Sequence, residues 1–117
     1  MSKPFSRVFY TNWFIPTKFA GFTILFVVLI RPEYINDIGL LTHELVHVKQ
    51  FWSTFGLMPI LYLLSREYRL QYEVEAYRAQ MACYIDDRSA LFASFLTKNY
   101  RLKITQEQAK ELLLKKE

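Results

Sequence analysis

Cysteine and glycine are scarce in this 117-residue chain, and their scarcity excludes several kinds of site. The single cysteine, Cys83, has no partner for an intramolecular disulfide and cannot build a zinc site from several thiolates. With only 3 glycines, the chain has no glycine-rich loop of the kind that cradles phosphate groups. A reducing compartment suits such a chain, and we predict a cytoplasmic location.

The chain also lacks an apolar run long enough to cross a membrane. Residues 19–30 are almost wholly apolar, but Gly21 and Thr23 interrupt them and Arg31-Pro32 ends the run. A membrane-spanning helix needs about 20 apolar residues. No small-residue cleavage site is present, so we do not predict a signal peptide. The β-branched and aromatic composition instead predicts one buried strand, with shallow membrane insertion as the alternative.

Positive charge is not concentrated in one segment of the chain. The net charge of +4 comes from 15 Lys and Arg against 11 Asp and Glu, and no basic stripe is interleaved with glycine. We therefore do not expect a nucleic-acid partner. With 52% hydrophobic residues and 4 prolines, the composition predicts one compact domain over residues 1–117 rather than a disordered chain.

Both histidines of the chain fall in one short motif, His43-Glu44-Leu45-Val46-His47. Residues four apart share a helix face, so the two imidazoles can point at one position with Glu44 beside them. Such a pair suits one Zn²⁺ per chain, which needs a third protein ligand and keeps a fourth position open for water. Glu44 is then the expected general base, because the metal acidifies that water. The alternative is a helix that buries one histidine and solvates the other.

A second helix is predicted at residues 72–84, and it carries two glutamates. Glu73 and Glu75 are two positions apart, so they face nearly opposite sides of the helix and only one can reach the metal. Small alanine residues along the same helix would allow close packing against the motif helix. The other glutamate is expected to be solvated or paired with Arg69 or Arg78.

The remaining segments predict a small sheet and further helices. Residues 7–15 are β-prone, Asn36 or Asp37 is the expected cap of the motif helix, and Gly56 is its expected end, after about Phe55. A packing turn or short helix is predicted at residues 57–64, and further helices at residues 90–96 and after the capping box of Thr105 and Gln108. The predicted fold class is α+β, with a short N-terminal sheet packed on four or five helices.

The motif and the later glutamates resemble the gluzincin-type zincins, in particular the small single-domain minigluzincins. The resemblance rests on His43-Glu44-Leu45-Val46-His47, followed 26 residues after His47 by Glu73-Val74-Glu75-Ala76. It implies a zinc-dependent metallopeptidase with a strand along the rim of its cleft and a glutamate from a later helix as third zinc ligand. The family's Glu-x-x-Ala pattern maps that ligand to Glu73, with Glu75 as the alternative ligand or a supporting residue.

Tyr77 occupies the position where family members usually carry an Asp or Asn that orients a zinc-bound histidine. We expect its hydroxyl to replace that residue only in part, and we consider Tyr77 or Tyr72 as a stabiliser of the oxyanion. The expected partner is a peptide or protein substrate that pairs with an edge strand. The alternative function is a latent or non-catalytic zinc-binding module that binds a partner protein, because so short a chain has little room for the lower half of a cleft.

Overall fold

A computed structural model describes residues 4–115. Within them the chain forms three strands, β1 (Arg7–Tyr10), β2 (Gly21–Ile24) and β3 (Val27–Ile30), and a short 3₁₀ turn at Pro32–Tyr34. Five helices follow: α1 (Ile38–Ser53), α2 (Met58–Leu64), α3 (Arg66–Met81), α4 (Ser89–Asn99) and α5 (Gln106–Leu114). The predicted α+β class is confirmed.

The sheet has the order β1-β3-β2, with β1 parallel and β2 antiparallel to the central strand β3. The prediction of a single buried strand over residues 19–30 is wrong, because the run folds back as the β2–β3 hairpin. Its two-residue turn is Leu25-Phe26, and Leu25 has a positive φ of +56°, as the first central residue of the common two-residue hairpin turns does. Glycine usually occupies that position, so the sequence carried no turn signal here.

The helix that carries the histidine motif is α1, and its boundaries follow local chemistry. Asp37 caps its first turn, since the Asp37 carboxylate accepts a hydrogen bond from the Leu40 N–H at 3.0 Å. The helix ends at Ser53, two residues before the predicted end, and Gly56 follows with a φ of +84°. The residue directly after the Thr54 cap is Phe55, also with a positive φ of +53°, and the Gly56 N–H donates to the Phe51 carbonyl at 2.8 Å. The helix therefore ends just before Gly56, as predicted, with the left-handed position one residue earlier.

The second predicted helix, α3, begins six residues earlier than residue 72 and ends at Met81 rather than at residue 84. Ser65 caps it by accepting a hydrogen bond from the Tyr68 N–H at 3.2 Å. The charged residues that follow Ser65 therefore belong to the helix. In α5, Thr105 and Gln108 form the predicted capping box.

Helix α1 is the central element of the packing. It contacts β2 and β3 of the sheet, and it packs along α3. One buried cluster joins β3 to α1 through Val28, Ile30, Leu40 and Val48. A second cluster joins α3, α4 and α5 around Phe92 and Leu96, among other residues. No helix within residues 4–115 has the length and apolar character needed to cross a membrane.

Candidate metal centre

The two histidines of α1 meet Glu73 of α3 in a buried site. His43 and His47 lie one turn apart, with their ring centroids 5.0 Å apart and their planes at 79°. The Nε2 atom of His43 lies 3.3 Å from Glu73 Oε1, and the Nε2 atom of His47 lies 3.2 Å from the same oxygen. All three side chains are buried. The structure therefore brings together the three residues named as zinc ligands from the sequence.

The spacing of these atoms fits a zinc ion. Ligand atoms about 2.0–2.1 Å from a tetrahedral zinc lie about 3.3–3.4 Å from one another. The 3.2 and 3.3 Å separations from Glu73 Oε1 to the two nitrogens agree with that value. Glu73 Oε1 is also buried without a hydrogen-bond partner. A buried carboxylate oxygen needs a positive partner, so the site is suited to a cation.

The electrostatics of the three side chains favour positive charge between them. Burial lowers the pKa of His47, but the Glu73 carboxylate outweighs burial and raises that pKa to about 9. Burial likewise raises the pKa of Glu73, but His47 and His43 outweigh it and hold that pKa well below its usual range. Glu73 therefore stays ionised and pairs with protonated His47, and a metal cation held between Glu73 and the histidines would replace that proton.

Tyr62 of α2 supports Glu73, and the sequence did not indicate this role. Its hydroxyl donates a hydrogen bond to Glu73 Oε2 at 2.5 Å. Burial, followed by the Glu73 carboxylate, raises the pKa of Tyr62 far above its usual value, so the hydroxyl keeps its proton. Because Oε2 is held by Tyr62, Oε1 is the oxygen left to face the histidines. In the sequence, Tyr62 lies in an apolar segment where a tyrosine indicates only packing, so its contact with Glu73 could not be predicted.

Replacing Tyr62 with phenylalanine should weaken zinc binding without removing a ligand. The change deletes the hydroxyl that holds Glu73 Oε2, so we expect about a tenfold to hundredfold loss of zinc affinity, the usual effect of losing a residue that orients a ligand. Competition with a chelator measures it. The matched control is Tyr72→Phe, since the Tyr72 ring stacks on Tyr68 and not on the metal-site residues. Equal affinities in the two variants would contradict the role given to Tyr62.

The carboxylate of Glu44 lies beside the histidines and against strand β2. Glu44 is buried, and its Oε1 atom accepts a hydrogen bond from the Thr23 hydroxyl at 2.8 Å. A Cβ atom at Gly21 would lie only 3.2 Å from Glu44 Oε2, so the missing side chain at Gly21 leaves room for the carboxylate. Glu44 is therefore a candidate general base, and its orientation is set by contacts with strand β2.

The histidines, Glu44 and Glu73 line a cleft of about 480 Å³. Strand β2 contributes one part of its lining, including Thr23, and α2 contributes another, including Tyr62. Large apolar side chains make up most of the rest: Phe19, Phe22, Ile24, Leu25, Phe51, Met58 and Leu63. The cleft therefore combines a small polar centre with apolar walls, the usual character of a ligand-binding site.

The two tyrosines considered for the oxyanion, Tyr77 and Tyr72, are not among the residues that line the cleft. The Tyr77 ring packs edge-on against His43, with centroids 4.4 Å apart, and its hydroxyl shares a 2.6 Å hydrogen bond with the Tyr100 hydroxyl. Tyr77 thus contacts His43 by its ring and does not replace the missing acidic residue. His43 Nδ1 is buried without a hydrogen-bond partner. Tyr100, the hydrogen-bond partner of Tyr77, does line the cleft.

Glu75 lies on a different face of α3 from Glu73, as the spacing predicts, and it is exposed. Of the alternatives given for Glu75, solvation or pairing with Arg78 or Arg69, its exposed position agrees with the first. The Arg69 guanidinium donates to the Tyr62 and Tyr100 carbonyls. Glu75 Oε1 instead accepts a hydrogen bond from Gln50 Nε2 at 2.6 Å. The sequence reasoning did not identify Gln50, which stands three residues after His47.

No family model, no curated protein and no solved structure matches this chain. Its function therefore has to be inferred from the site itself. The ligand atoms of His43, Glu44 and His47 lie within 4.8 Å of one another, and Glu73 Oε1 lies within 3.3 Å of both histidine Nε2 atoms. The site thus offers two imidazoles and two carboxylates at one position.

Proposed function

We propose that this protein is a zinc-dependent peptide hydrolase of the gluzincin type. The observation that carries the proposal is the convergence of His43 Nε2 and His47 Nε2 on Glu73 Oε1, at 3.3 and 3.2 Å, in a buried site that lines a cleft. Three protein ligands, rather than four, are typical of catalytic zinc sites. A purely structural zinc site would not need a second acidic residue beside its ligands, as Glu44 is here.

Glu44 supplies the proton chemistry in this proposal. Zinc, when bound, lowers the pKa of a water molecule and polarises the substrate carbonyl. The Glu44 carboxylate takes a proton from the attacking water and later gives it to the amine nitrogen as the carbon–nitrogen bond breaks. The hydrogen bond from Thr23 holds Glu44 Oε1, so the carboxylate is oriented before substrate arrives.

Strand β2 is the element that would align a peptide substrate. It pairs with β3 on one side, and no other strand within residues 4–115 pairs with it. Because β2 also lines the cleft, an extended peptide could add to its open edge while its scissile bond lies near Glu44. The apolar walls of the cleft favour peptides with large apolar side chains next to that bond.

The protein is expected to bind one zinc per chain and to cleave peptides. Elemental analysis after purification measures the metal, and a peptide library analysed by mass spectrometry detects cleavage. Chelation should abolish cleavage, and added zinc should restore it. Failure to take up stoichiometric zinc would contradict the proposal. Zinc binding without cleavage of any peptide would favour the non-catalytic module that binds a partner protein.

A further inference from the structure

Gln50 connects the ring of His47 to helix α3. It is buried, and its Oε1 atom lies 2.8 Å from His47 Nδ1. Its Nε2 atom donates two hydrogen bonds to α3, one to the Tyr72 carbonyl at 3.0 Å and one to Glu75 Oε1 at 2.6 Å. Both polar ends of this amide are therefore engaged, one by the imidazole and the other by α3.

The acceptors on α3 determine which way the amide points. A backbone carbonyl and a carboxylate can only accept hydrogen bonds, so the atom of Gln50 that faces Tyr72 and Glu75 has to be the NH₂ group. The other atom is then the carbonyl oxygen, which cannot donate. His47 Nδ1 must consequently carry the proton of this hydrogen bond, so Nε2, beside Glu73, is the nitrogen whose lone pair would bind a metal that replaces its proton.

We propose that Gln50 is a positioning residue that fixes His47 in the tautomer that binds zinc through Nε2, and that Glu75 fixes the orientation of Gln50. The inference rests on the proposed function, since only a metal at Nε2 makes this tautomer matter. It gives both Glu73 and Glu75 a role on the same imidazole. Glu73 acts on the Nε2 side, and Glu75 acts on the Nδ1 side through Gln50.

The charge on Glu75 makes the arrangement directional. A hydrogen bond from an amide to a carboxylate is roughly twice as strong as one between neutral groups, so rotating the amide by half a turn would be costly. Rotation would also place the Gln50 carbonyl oxygen against the carboxylate at the 2.6 Å contact. Glu75 is exposed, yet it acts on a buried histidine through one buried amide.

His43 provides an internal comparison. Its Nδ1 atom is buried without a hydrogen-bond partner, whereas His47 Nδ1 has Gln50. Because these are the only two histidines in the chain, an imidazole nitrogen spectrum contains only their two signal sets. In zinc-loaded protein, the Nδ1 proton of His47 should exchange with water markedly more slowly than that of His43.

Gln50→Leu tests the proposal, since leucine has a similar size but cannot accept a hydrogen bond. We expect zinc affinity to fall about tenfold to hundredfold, and the Nδ1 proton of His47 to lose its protection from exchange. The matched control is Gln71→Leu, at an exposed glutamine of α3, which should change neither quantity. Circular dichroism checks that each variant is folded.

A charge exchange tests the part played by Glu75. Gln50→Glu alone places two carboxylates at the 2.6 Å contact, so it should weaken zinc binding. Adding Glu75→Gln places an amide donor at position 75 opposite the new carboxylate at position 50. That carboxylate can still accept the hydrogen bond from His47 Nδ1, so the double variant should recover part of the lost zinc affinity. A double variant no better than Gln50→Glu alone would overturn the role of Glu75.

The outcomes separate this inference from the proposed function. The positioning role alone is overturned if the parent protein takes up zinc and the Gln50→Leu variant keeps the parent's zinc affinity and the protection of the His47 Nδ1 proton. Parent protein that takes up no zinc overturns the proposed function and the positioning role with it. Loss of protection and affinity in Gln50→Leu, with neither lost in Gln71→Leu, supports the proposal.

Discussion

Replacing Glu44 with glutamine should abolish peptide hydrolysis while zinc and the fold are retained. Glutamine keeps the size of the side chain, and its carbonyl oxygen can still accept the Thr23 hydrogen bond that now reaches Glu44 Oε1 at 2.8 Å. It cannot take a proton at neutral pH, however. Loss of a general base typically lowers the rate by about 10²–10⁴-fold, and we expect kcat/KM to fall by at least the upper end of that range.

The control for this experiment is Glu111→Gln, at an exposed position of α5. It removes the same charge and should leave kcat/KM and zinc content at parent values. A Glu44→Gln variant that cleaves at the parent rate would show that Glu44 is not the base. If neither the parent nor the variant cleaves any peptide although both hold zinc, the non-catalytic module becomes the leading function.

Replacing Glu73 with alanine should weaken zinc binding far more than replacing Glu75. Glu73 Oε1 faces both histidine Nε2 atoms, so its loss removes a ligand and should lower zinc affinity by more than about a hundredfold. Glu75 acts only through Gln50, and we expect Glu75→Ala to cost about tenfold or less. Titration of both variants against a competing chelator compares them directly.

The pair is well matched because both changes fall on α3, two residues apart. The reverse ranking would make Glu75 the ligand, and equal small effects would place the third ligand elsewhere. Glu73→Ala also leaves the Tyr62 hydroxyl without its acceptor. Thermal unfolding of the zinc-free variants therefore has to be measured, so that a loss of affinity is not confused with a loss of fold.

Features that depend on a single segment of the chain could be predicted from the sequence. The four-residue spacing of His43 and His47 indicates a shared face whatever the helix packs on. The caps at Asp37 and Thr105 follow from side chains that accept hydrogen bonds from nearby N–H groups. The separation of Glu73 and Glu75 onto different faces follows from helix geometry in the same way.

Other features depend on contacts between distant segments, and the sequence alone did not reveal them. Gln50 and Tyr62 become parts of the site only when α3 lies beside α1 and α2, and a lone glutamine or tyrosine in an apolar helix indicates nothing by itself. The hairpin turn at Leu25 was missed for a different reason. A residue with positive φ is usually glycine or asparagine, and here an exposed leucine has that conformation.

The placement of the converging side chains on two separate helices has a consequence for the free energy of unfolding. His47 belongs to α1 and Glu73 to α3, and the chain between them contains α2. A metal held by both residues would close that segment into a loop and restrict the unfolded chain, as a disulfide does. By the chain-entropy relation for cross-links, a loop of this size corresponds to roughly 3–4 kcal/mol. A protein with a single cysteine would thus obtain from a metal the cross-link that it cannot form within its own chain from sulfur.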